Sequence, residues 1–110
     1  MGKFVKGAVV VVPFPFSDLS QSKRRPALVL TDWGGEDLIL CQITSKAGKD
    51  RFALALRPED FQEGSLHQES NIRPNKLFTA DESIILYQVG KVKSTLMAKV
   101  TDTICNTLRQ

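Results

Sequence analysis

The sequence has few cysteines and no long apolar run, and both shortages exclude classes of protein. Its two cysteines, Cys41 and Cys105, are too few for a disulfide framework or a zinc site. The longest apolar run, Ala8 to Val12, is strand-sized, whereas a membrane-spanning helix needs ~18 apolar residues. This run is not followed by a small-residue cleavage site, so it does not resemble a signal peptide. We therefore expect a soluble, reduced, cytoplasmic protein.

Histidine is equally scarce, which excludes several kinds of catalytic site. His67 is the only histidine, and its polar neighbours Gln68 and Glu69 are typical of a solvated surface side chain. A pair of histidines therefore cannot share acid and base roles within one subunit, and nothing near His67 indicates a Ser/His/Asp or Cys/His site. The sequence also lacks a glycine-rich phosphate loop and any metal-ligand spacing. We therefore predict no cofactor and no bound metal.

The composition is that of one globular domain over residues 1–110, with 42% hydrophobic and 25% charged residues. The net charge is +3, and the whole excess lies in the first half of the chain. It is concentrated in Lys23-Arg24-Arg25 and in Lys46, Lys49 and Arg51. Such clusters can attract a polyanion such as a nucleic acid, or they can form an ordinary solvated face. Charge alone leaves both interpretations open.

Apolar and alternating segments predict several short strands. They are Ala8 to Val12, Ala27 to Leu30, Leu38 to Thr44, Phe52 to Leu56 and Ile84 to Val89. Pro13 and Pro15 are expected to end the first ladder. The turn-forming residues from Ser17 onward, together with the basic triplet, then predict a loop of about ten residues.

The end of the chain has a helical pattern. Leu96, Val100, Ile104 and Leu108 recur every four residues, and Ser94 is a plausible N-cap. Earlier, Arg57 to Phe61 predicts a short helical turn with Pro58 at its first position. Short strands followed by one helix favour a mainly β fold, a small antiparallel SH3-like barrel covered by the C-terminal helix.

The remaining polar residues that could form a functional site are Arg, Lys, Thr, Ser and Asn near turns. Their side chains suit the recognition of phosphate. Arg25 precedes Pro26, which biases Arg25 to an extended backbone. Thr44 and Ser45 end the strand after that, so a meander could bring them near Arg25. The alternative is that Arg25 is a loop charge and Thr44 a β-former at a strand end.

Several motifs resemble the MazF/PemK family of toxin endoribonucleases. They are VVVVPFPFSDLS at 9–20, KRRPALVL at 23–30, Ile43-Thr44-Ser45, SNIRPNKLFT at 70–79 and Gly90-Lys91-Val92. Together and in this order they are specific, and they cover nearly the whole chain. The resemblance implies a plasmid-maintenance-toxin barrel, a homodimer, sequence-selective cleavage of single-stranded RNA, and inhibition by a cognate antitoxin.

The resemblance also implies site residues. The catalytic candidates are Arg25 and Thr44. The RNA-binding candidates are Phe16, Ser17, Lys23, Arg24, Ser45, Lys46, Arg73 and Asn75. Two positions depart from the family pattern: Gly7-Ala8 stands where members often have Gly-Asp, and Asn75 where some members have an acid. Asn75 can form hydrogen bonds, but it cannot act as a carboxylate base.

RNA carries its own nucleophile, the 2′-OH, so we expect cleavage without metal that leaves a 2′,3′-cyclic phosphate and a 5′-OH. Arginine side chains stay protonated, so we expect Arg25 to stabilise charge first and transfer protons second. Two alternatives are a CcdB-like poison of DNA gyrase, which would expose apolar residues at the chain end, and an inactive binding member of the same fold.

Overall fold

The computed structural model describes residues 4–15, 22–31, 35–45 and 50–110. These residues form seven strands and one α-helix. The elements are β1 (Ala8–Pro15), β2 (Ser22–Val29), β3 (Asp37–Thr44), β4 (Leu54–Leu56), β5 (Phe61–Gly64), β6 (Ser70–Asp81), β7 (Tyr87–Val92) and α1 (Ser94–Arg109). Short 3₁₀ turns at Pro58–Asp60 and Glu82–Ile84 precede β5 and β7.

The strands form one curled antiparallel sheet in the order β4-β6-β3-β2-β1-β7-β5. The mainly β barrel-like fold with a C-terminal helix, predicted from the sequence, is confirmed. Neighbours in the chain are not always neighbours in the sheet, because β6 joins β3 to β4 and β7 joins β1 to β5. The edge strands β4 and β5 therefore each pair with a single strand that does not follow them directly in the chain.

The central strands are buried on both faces of the sheet, because they are apolar on both sides. Alternate residues of a strand point to opposite faces, and Val9 and Val10 accordingly belong to different core clusters. Leu96, Met97 and Val100 of α1 complete the cluster that contains Val9. The runs Val9 to Val12 and Ala27 to Val29 are buried for this reason.

The first strand is longer than predicted and continues through both prolines. Pro13 and Pro15 pair with Arg24 and Ser22 of β2, whereas pairing with β7 ends at Val11. The carbonyl of Val11 accepts a hydrogen bond from the Leu86 N–H on the β7 side of β1. Because every second residue of a strand directs its backbone polar groups to the same side, the backbone of Pro13 and Pro15 faces the β7 side too. The missing N–H groups therefore cost no ladder hydrogen bond with β2.

The second strand also begins earlier than predicted. Lys23, Arg24 and Arg25 are paired with β1 residues and belong to β2, not to a loop. The prediction of a ten-residue loop that includes the basic triplet is therefore wrong. These residues form a strand because they pair with the long β1, and this pairing outweighs the local preference for a turn. Ser22 of that predicted loop also belongs to β2, and residues 17–21 lie outside the described residues.

Strand β6 was not predicted, although it is the longest strand described. Its register against β3 shifts between the pairs Ile43–Ile72 and Cys41–Leu77. Residues 73–76 of β6 thus lie opposite the single residue Gln42 and form a bulge larger than the usual two-against-one kind. The bulge contains the buried Pro74, and bulges are one of the few sites in a sheet that tolerate proline.

Two other predicted strands begin later than expected because side chains hold turns at their starts. The Asp50 carboxylate accepts from the Phe52 N–H at 3.0 Å, and β4 starts only at Leu54. Asp81 likewise accepts from the Ser83 N–H, and β7 starts at Tyr87 rather than Ile84. Strand β7 also continues past Gly90, where the missing side chain leaves room for the Glu63 carbonyl and the Phe61 ring of β5.

The C-terminal helix spans Ser94–Arg109, close to the prediction. Lys93 rather than Ser94 is the N-cap, because its N–H donates to the Asp60 carbonyl and fixes the chain one residue earlier. Leu96 and Val100 are buried and Ile104 is half-buried. Leu108 is 73% exposed, so the predicted apolar stripe ends before it reaches this residue.

Candidate active site

Arg25 and Thr44 lie on neighbouring strands at the same end of the sheet. Strands β2 and β3 pair Ala27 with Gln42 and Leu28 with Cys41, and continuing this register places Arg25 opposite Thr44. Residues directly opposite in an antiparallel pair point to the same face, with Cβ atoms ~4.5–5.5 Å apart. A guanidinium and a hydroxyl thus share one small area of the surface.

The next strand extends this polar row. Thr44 pairs with Asn71 of β6 on one side, while Arg25 pairs with Val12 of β1 on the other. The Nε atom of Arg25 is buried, and Thr44 is half-buried. A partly desolvated cation interacts more strongly with a phosphate than one in bulk water.

Arg73 is fixed by an ion pair. Its Nε donates to Oδ2 of Asp50 at 2.8 Å, and the two side chains are 25% and 5% exposed. The Arg73 carbonyl accepts a hydrogen bond from the Cys41 thiol at 2.8 Å. Arg73 is the first residue of the β6 bulge, and bulges often aim a side chain near a functional site. Arg73 is therefore held at both its backbone and its guanidinium.

The pKa values of Asp50 and Cys41 are shifted in opposite directions, for different reasons. The hydrogen bond from Arg73 holds the pKa of Asp50 below its ordinary value, so this carboxyl is ionised near neutral pH. Burial raises the pKa of the Cys41 thiol to about 12. Cys41 is therefore a protonated hydrogen-bond donor and a small core residue rather than a nucleophile.

A pocket of about 280 Å³ lies beside the Arg25–Thr44 pair. It contains three of the predicted site residues, Arg24, Arg25 and Ser45, together with His67 and Gln68. Arg24 and Ser45 are exposed, as is His67, which agrees with the expectation of a solvated histidine. The sequence did not indicate, however, that His67 would lie next to Arg24 and Arg25.

The other predicted site residues are dispersed or lie outside the described residues. Lys23 is exposed on β2, two residues before Arg25. Asn75 is exposed within the β6 bulge. Phe16, Ser17 and Lys46 lie outside the described residues.

The sequence did not single out Asp50 or Asn71. The one available signal for Asp50 was an acid placed between basic residues, at Lys49-Asp50-Arg51. Asn71 belongs to the quoted SNIRPNKLFT motif, but its position opposite Thr44 depends on long-range pairing. His67 precedes a strand that was not predicted, so its neighbours could not be inferred.

Two further features bear on the kind of protein. Within the described ranges, the structure contains no group of three or more His, Cys, Asp or Glu side chains that could hold a metal ion. Over the same part of the chain, none of the helical segments has the length and apolar character needed to cross a membrane.

A curled seven-stranded antiparallel sheet with one C-terminal helix defines the class of MazF-like toxin folds. The MazE–MazF complex from Deinococcus radiodurans (Form-II) is similar over 100% of this chain and 99% of that chain, with TM-score 0.77 and 20% identity. MazF alone from that organism (Form-I) gives TM-score 0.74 and 22% identity, with 97% of each chain covered. A mycobacterial endoribonuclease in complex with its cognate antitoxin gives TM-score 0.73 and 14% identity, over 98% of this chain and 95% of that chain.

The family follows from the sequence match. A profile described as PemK-like, MazF-like toxin of type II toxin–antitoxin system matches residues 5–108, so the chain belongs to this family. Toxins of this family are known as endoribonucleases. No curated protein matches the sequence. The resemblance recognised from the motifs is confirmed.

Proposed function

We propose that the protein is an endoribonuclease toxin that cuts single-stranded RNA, such as mRNA, sequence-selectively and without metal. The observation that carries this proposal is the register of β2 against β3, which pairs Ala27 with Gln42. The same register continued by two residues sets Arg25 across from Thr44, and Nε of Arg25 is buried. A cation and a hydroxyl on one face suit a phosphate whose charge increases during reaction. Arg73, oriented by Asp50, supplies a second cation on the neighbouring strand β6.

The reaction uses the nucleophile that RNA supplies. The 2′-oxygen attacks the adjacent phosphorus, the P–O2′ bond forms and the P–O5′ bond breaks. The 2′-hydroxyl loses a proton and the departing 5′-oxygen gains one, so the step is balanced without added water. The products are a 2′,3′-cyclic phosphate and a 5′-OH.

Each residue has a distinct role in this step. Arg25 stabilises the negative charge that accumulates on the non-bridging oxygens and assists proton transfer second, since its planar fork offers several donors. Thr44 donates a hydrogen bond to a non-bridging oxygen and so aligns the phosphate with the 2′-OH. Asn75 contributes hydrogen bonds to RNA rather than acid–base chemistry.

The test is cleavage of a long single-stranded RNA in excess chelator, with the product ends identified by phosphatase and kinase labelling. Arg25→Ala should reduce the rate by ~10²–10³-fold, because a preorganised donor at a developing charge is lost. Arg25→Lys should restore little, since a point charge lacks the planar fork. Thr44→Ala should reduce the cleavage rate by a smaller factor than Arg25→Ala, and Thr44→Ser by a smaller factor still.

Two results would contradict the mechanism. Loss of wild-type activity in chelator would mean that a metal participates. Full activity in Arg25→Ala would remove the residue on which the proposal depends. The matched control is Arg109→Ala, an exposed arginine in the last turn of α1, which should cleave at the wild-type rate.

The proposed partners are a cognate antitoxin and a second copy of the chain, and the proposed place of action is the cytoplasm, where mRNA is available. One of the similar structures is an endoribonuclease in complex with its cognate antitoxin and another is a MazE–MazF complex, which supports the first. Exposed apolar residues at Ile84, Leu86 and Tyr87, and the small exposed Ala55, support a dimer. Sedimentation that shows only monomer at micromolar concentration would contradict the dimer.

The gyrase-poison alternative has one observation in its favour, the exposed Leu108 near the chain end. A supercoiling assay with purified gyrase separates the two functions. We expect supercoiling to be unaffected by the protein at concentrations that cleave RNA. Inhibition that is lost in Leu108→Ser and retained in Arg25→Ala would favour the alternative.

A further inference from the structure

A second cleft lies at the opposite end of β1 from the Arg25–Thr44 pair. Ala8 of β1 pairs with Lys91 of β7, whereas Val12, further along the same strand, pairs with Arg25. At ~3.3 Å per residue, these two ends of the strand are about 13 Å apart. The cleft has a volume of about 550 Å³, within the range of ~300–1,000 Å³ that is usual for small-molecule sites. None of the described residues that line it belongs to the candidate active site.

The base of the cleft is apolar. It is formed by Val92 and Met97, which are both buried, and by Ala98, whose small side chain leaves the space above it open. The methionine thioether is polarisable and makes favourable contacts with aromatic rings. This base therefore suits a flat ring.

The side of the cleft next to the start of β1 is positively charged. Lys6 directly precedes Gly7, and the Cε atom of Lys91 lies 3.9 Å from the place that a Cβ on Gly7 would take, so both lysines reach the same side. Lys91 is half-buried, and within the described part of the chain no acidic side chain forms an ion pair with it. Asp102 is the one acid among the described residues of the lining. Two positive charges against one negative charge favour an anionic ligand.

The rest of the described lining is neutral and polar. It consists of Gln62 of β5 and of Ser94 and Thr101 of α1. Each of these side chains can both donate and accept hydrogen bonds, which suits hydroxyl groups and ring nitrogens. Lysine ammonium groups, in turn, form strong charge-assisted hydrogen bonds with phosphate oxygens. A phosphate, hydroxyls and a flat ring together describe a nucleotide.

We propose that this cleft binds a free nucleoside phosphate. The phosphate contacts Lys6 and Lys91, and the base lies over Val92 and Met97. The inference does not depend on the proposed ribonuclease function, because the cleft and the Arg25–Thr44 pair share no residue. It adds a small-molecule site to a chain whose proposed substrate is a polymer.

The test is isothermal titration calorimetry of the full chain with ADP, GDP, CDP and UDP, each without divalent metal. The nucleoside of the tightest binder and inorganic pyrophosphate then test the two halves of the ligand separately. We expect each half to bind at least about tenfold more weakly than the diphosphate, because it makes only part of the contacts.

Lys91→Gln should weaken binding by about tenfold to a hundredfold, because a hydrogen bond from a charged donor is lost. Lys91→Arg keeps the charge and should restore most of the affinity, which a purely structural role would not predict. Ala98→Leu should weaken binding by a similar factor because it fills the cleft, while both residue types favour the helix. The matched control is Lys93→Gln, at an exposed lysine outside the cleft, which should bind as wild type does. Thermal unfolding of each variant verifies that the fold is intact.

Arg25→Ala distinguishes this cleft from the candidate active site, which also attracts phosphate. Binding that is retained in Arg25→Ala supports the cleft, and binding that is lost there overturns it. The proposal is also overturned if none of the four diphosphates binds, if pyrophosphate binds as tightly as the nucleotide, or if Lys91→Gln and Ala98→Leu both bind normally. RNA cleavage is not a readout of this experiment, so either proposal can fail while the other stands.

Discussion

Arg73 and Asp50 are joined across 23 residues of sequence by an ion pair of 2.8 Å between Nε and Oδ2. The second oxygen of Asp50 accepts from the Phe52 N–H, so one carboxylate connects the β6 bulge to the turn before β4. Because only 5% of the Asp50 side chain is exposed, water competes little for these contacts. The direction of Arg73 is thus set by a residue outside the motif that contains the arginine.

Replacing the Asp50 carboxylate should impair RNA cleavage, although Asp50 itself is not expected to contact RNA. Asp50→Asn keeps the size of the side chain but removes its charge, so Arg73 loses its charged partner. We expect a loss of about tenfold or more in kcat/KM, since a hydrogen bond to a charged group contributes about 1.5–3 kcal/mol and about 1.4 kcal/mol corresponds to tenfold. Asp102→Asn, an exposed change on α1, is the matched control. Additive losses in Asp50→Asn and Arg73→Lys combined would show that the two residues act independently.

The same pair should make stability depend on pH in acid. The pKa of Asp50 is lowered from 3.8 in the folded protein by the hydrogen bond from Arg73, so protonation favours the unfolded chain. The stabilisation is complete above about pH 4 and is lost as pH falls through the lowered folded pKa. The difference in unfolding free energy between wild type and Asp50→Asn should therefore shrink below pH 4. A constant difference from pH 7 to pH 2 would contradict this.

The two cysteines should differ sharply in reactivity. Cys41 is buried with its pKa raised to about 12, whereas Cys105 on α1 is half-buried. Because the thiolate is the reacting form, iodoacetamide at pH 8 should modify Cys105 and leave Cys41 intact in the folded protein. Mass spectrometry of peptides gives the result, and unfolding in guanidinium chloride should expose both. Equal labelling under native conditions would disprove the buried position of Cys41.

Gly64 should tolerate no side chain. Its φ is +74°, and a Cβ would lie 2.1 Å from the Val89 carbonyl oxygen and 2.5 Å from the Cα of Gly90. The backbone conformation alone costs a non-glycine residue about 1–3 kcal/mol, and the clash adds to it. Gly64→Ala should lower Tm by roughly 5 °C or more. Ser65→Ala, at the exposed neighbouring residue, should leave Tm unchanged within error.

Lys23 should contribute to RNA affinity but not to base preference. It is exposed on β2, two residues before Arg25, and suits a phosphate contact. Lys23→Glu should weaken binding across many sequences and make it less salt-dependent, because each phosphate contact contributes ~0.7 to the slope of log K against log salt for single strands. Lys99→Glu on α1 makes the same charge change away from the site. A new cleavage motif in Lys23→Glu, at unchanged affinity, would contradict the assignment.

The sequence predicted the parts of the fold that depend on local patterns. Four valines in succession indicated a buried strand, and the spacing from Leu96 to Ile104 indicated the helix, both of which the structure contains. Strand β6 has no such pattern, because Pro74 and several polar residues interrupt its alternation. It becomes a strand through pairing with β3 and β4, and pairing between distant segments has no local signal.

The candidate site divides in the same way. Arg25 could be identified as a site residue because Pro26 follows it, and Thr44 because it ends an apolar strand. Asp50 and Asn71 could not be identified from the sequence, because the ion pair of Asp50 with Arg73 and the pairing of Asn71 with Thr44 both join distant segments. The bulge in β6 that contains Arg73 depends on packing and on the register against β3, and no local residue pattern predicts it.

The prolines of β1 also limit how other chains can attach to this sheet. Beyond Val11, within the part of the chain that the structure describes, only β2 pairs with β1, and the other side is an open edge. An incoming peptide that adds a strand needs alternating N–H donors on such an edge. Pro13 and Pro15 supply none, so this edge cannot template strand addition or edge-to-edge aggregation. A segment that covers the edge meets only the carbonyls of Pro13 and Pro15 as backbone partners there, so its side chains have to supply the rest of the recognition.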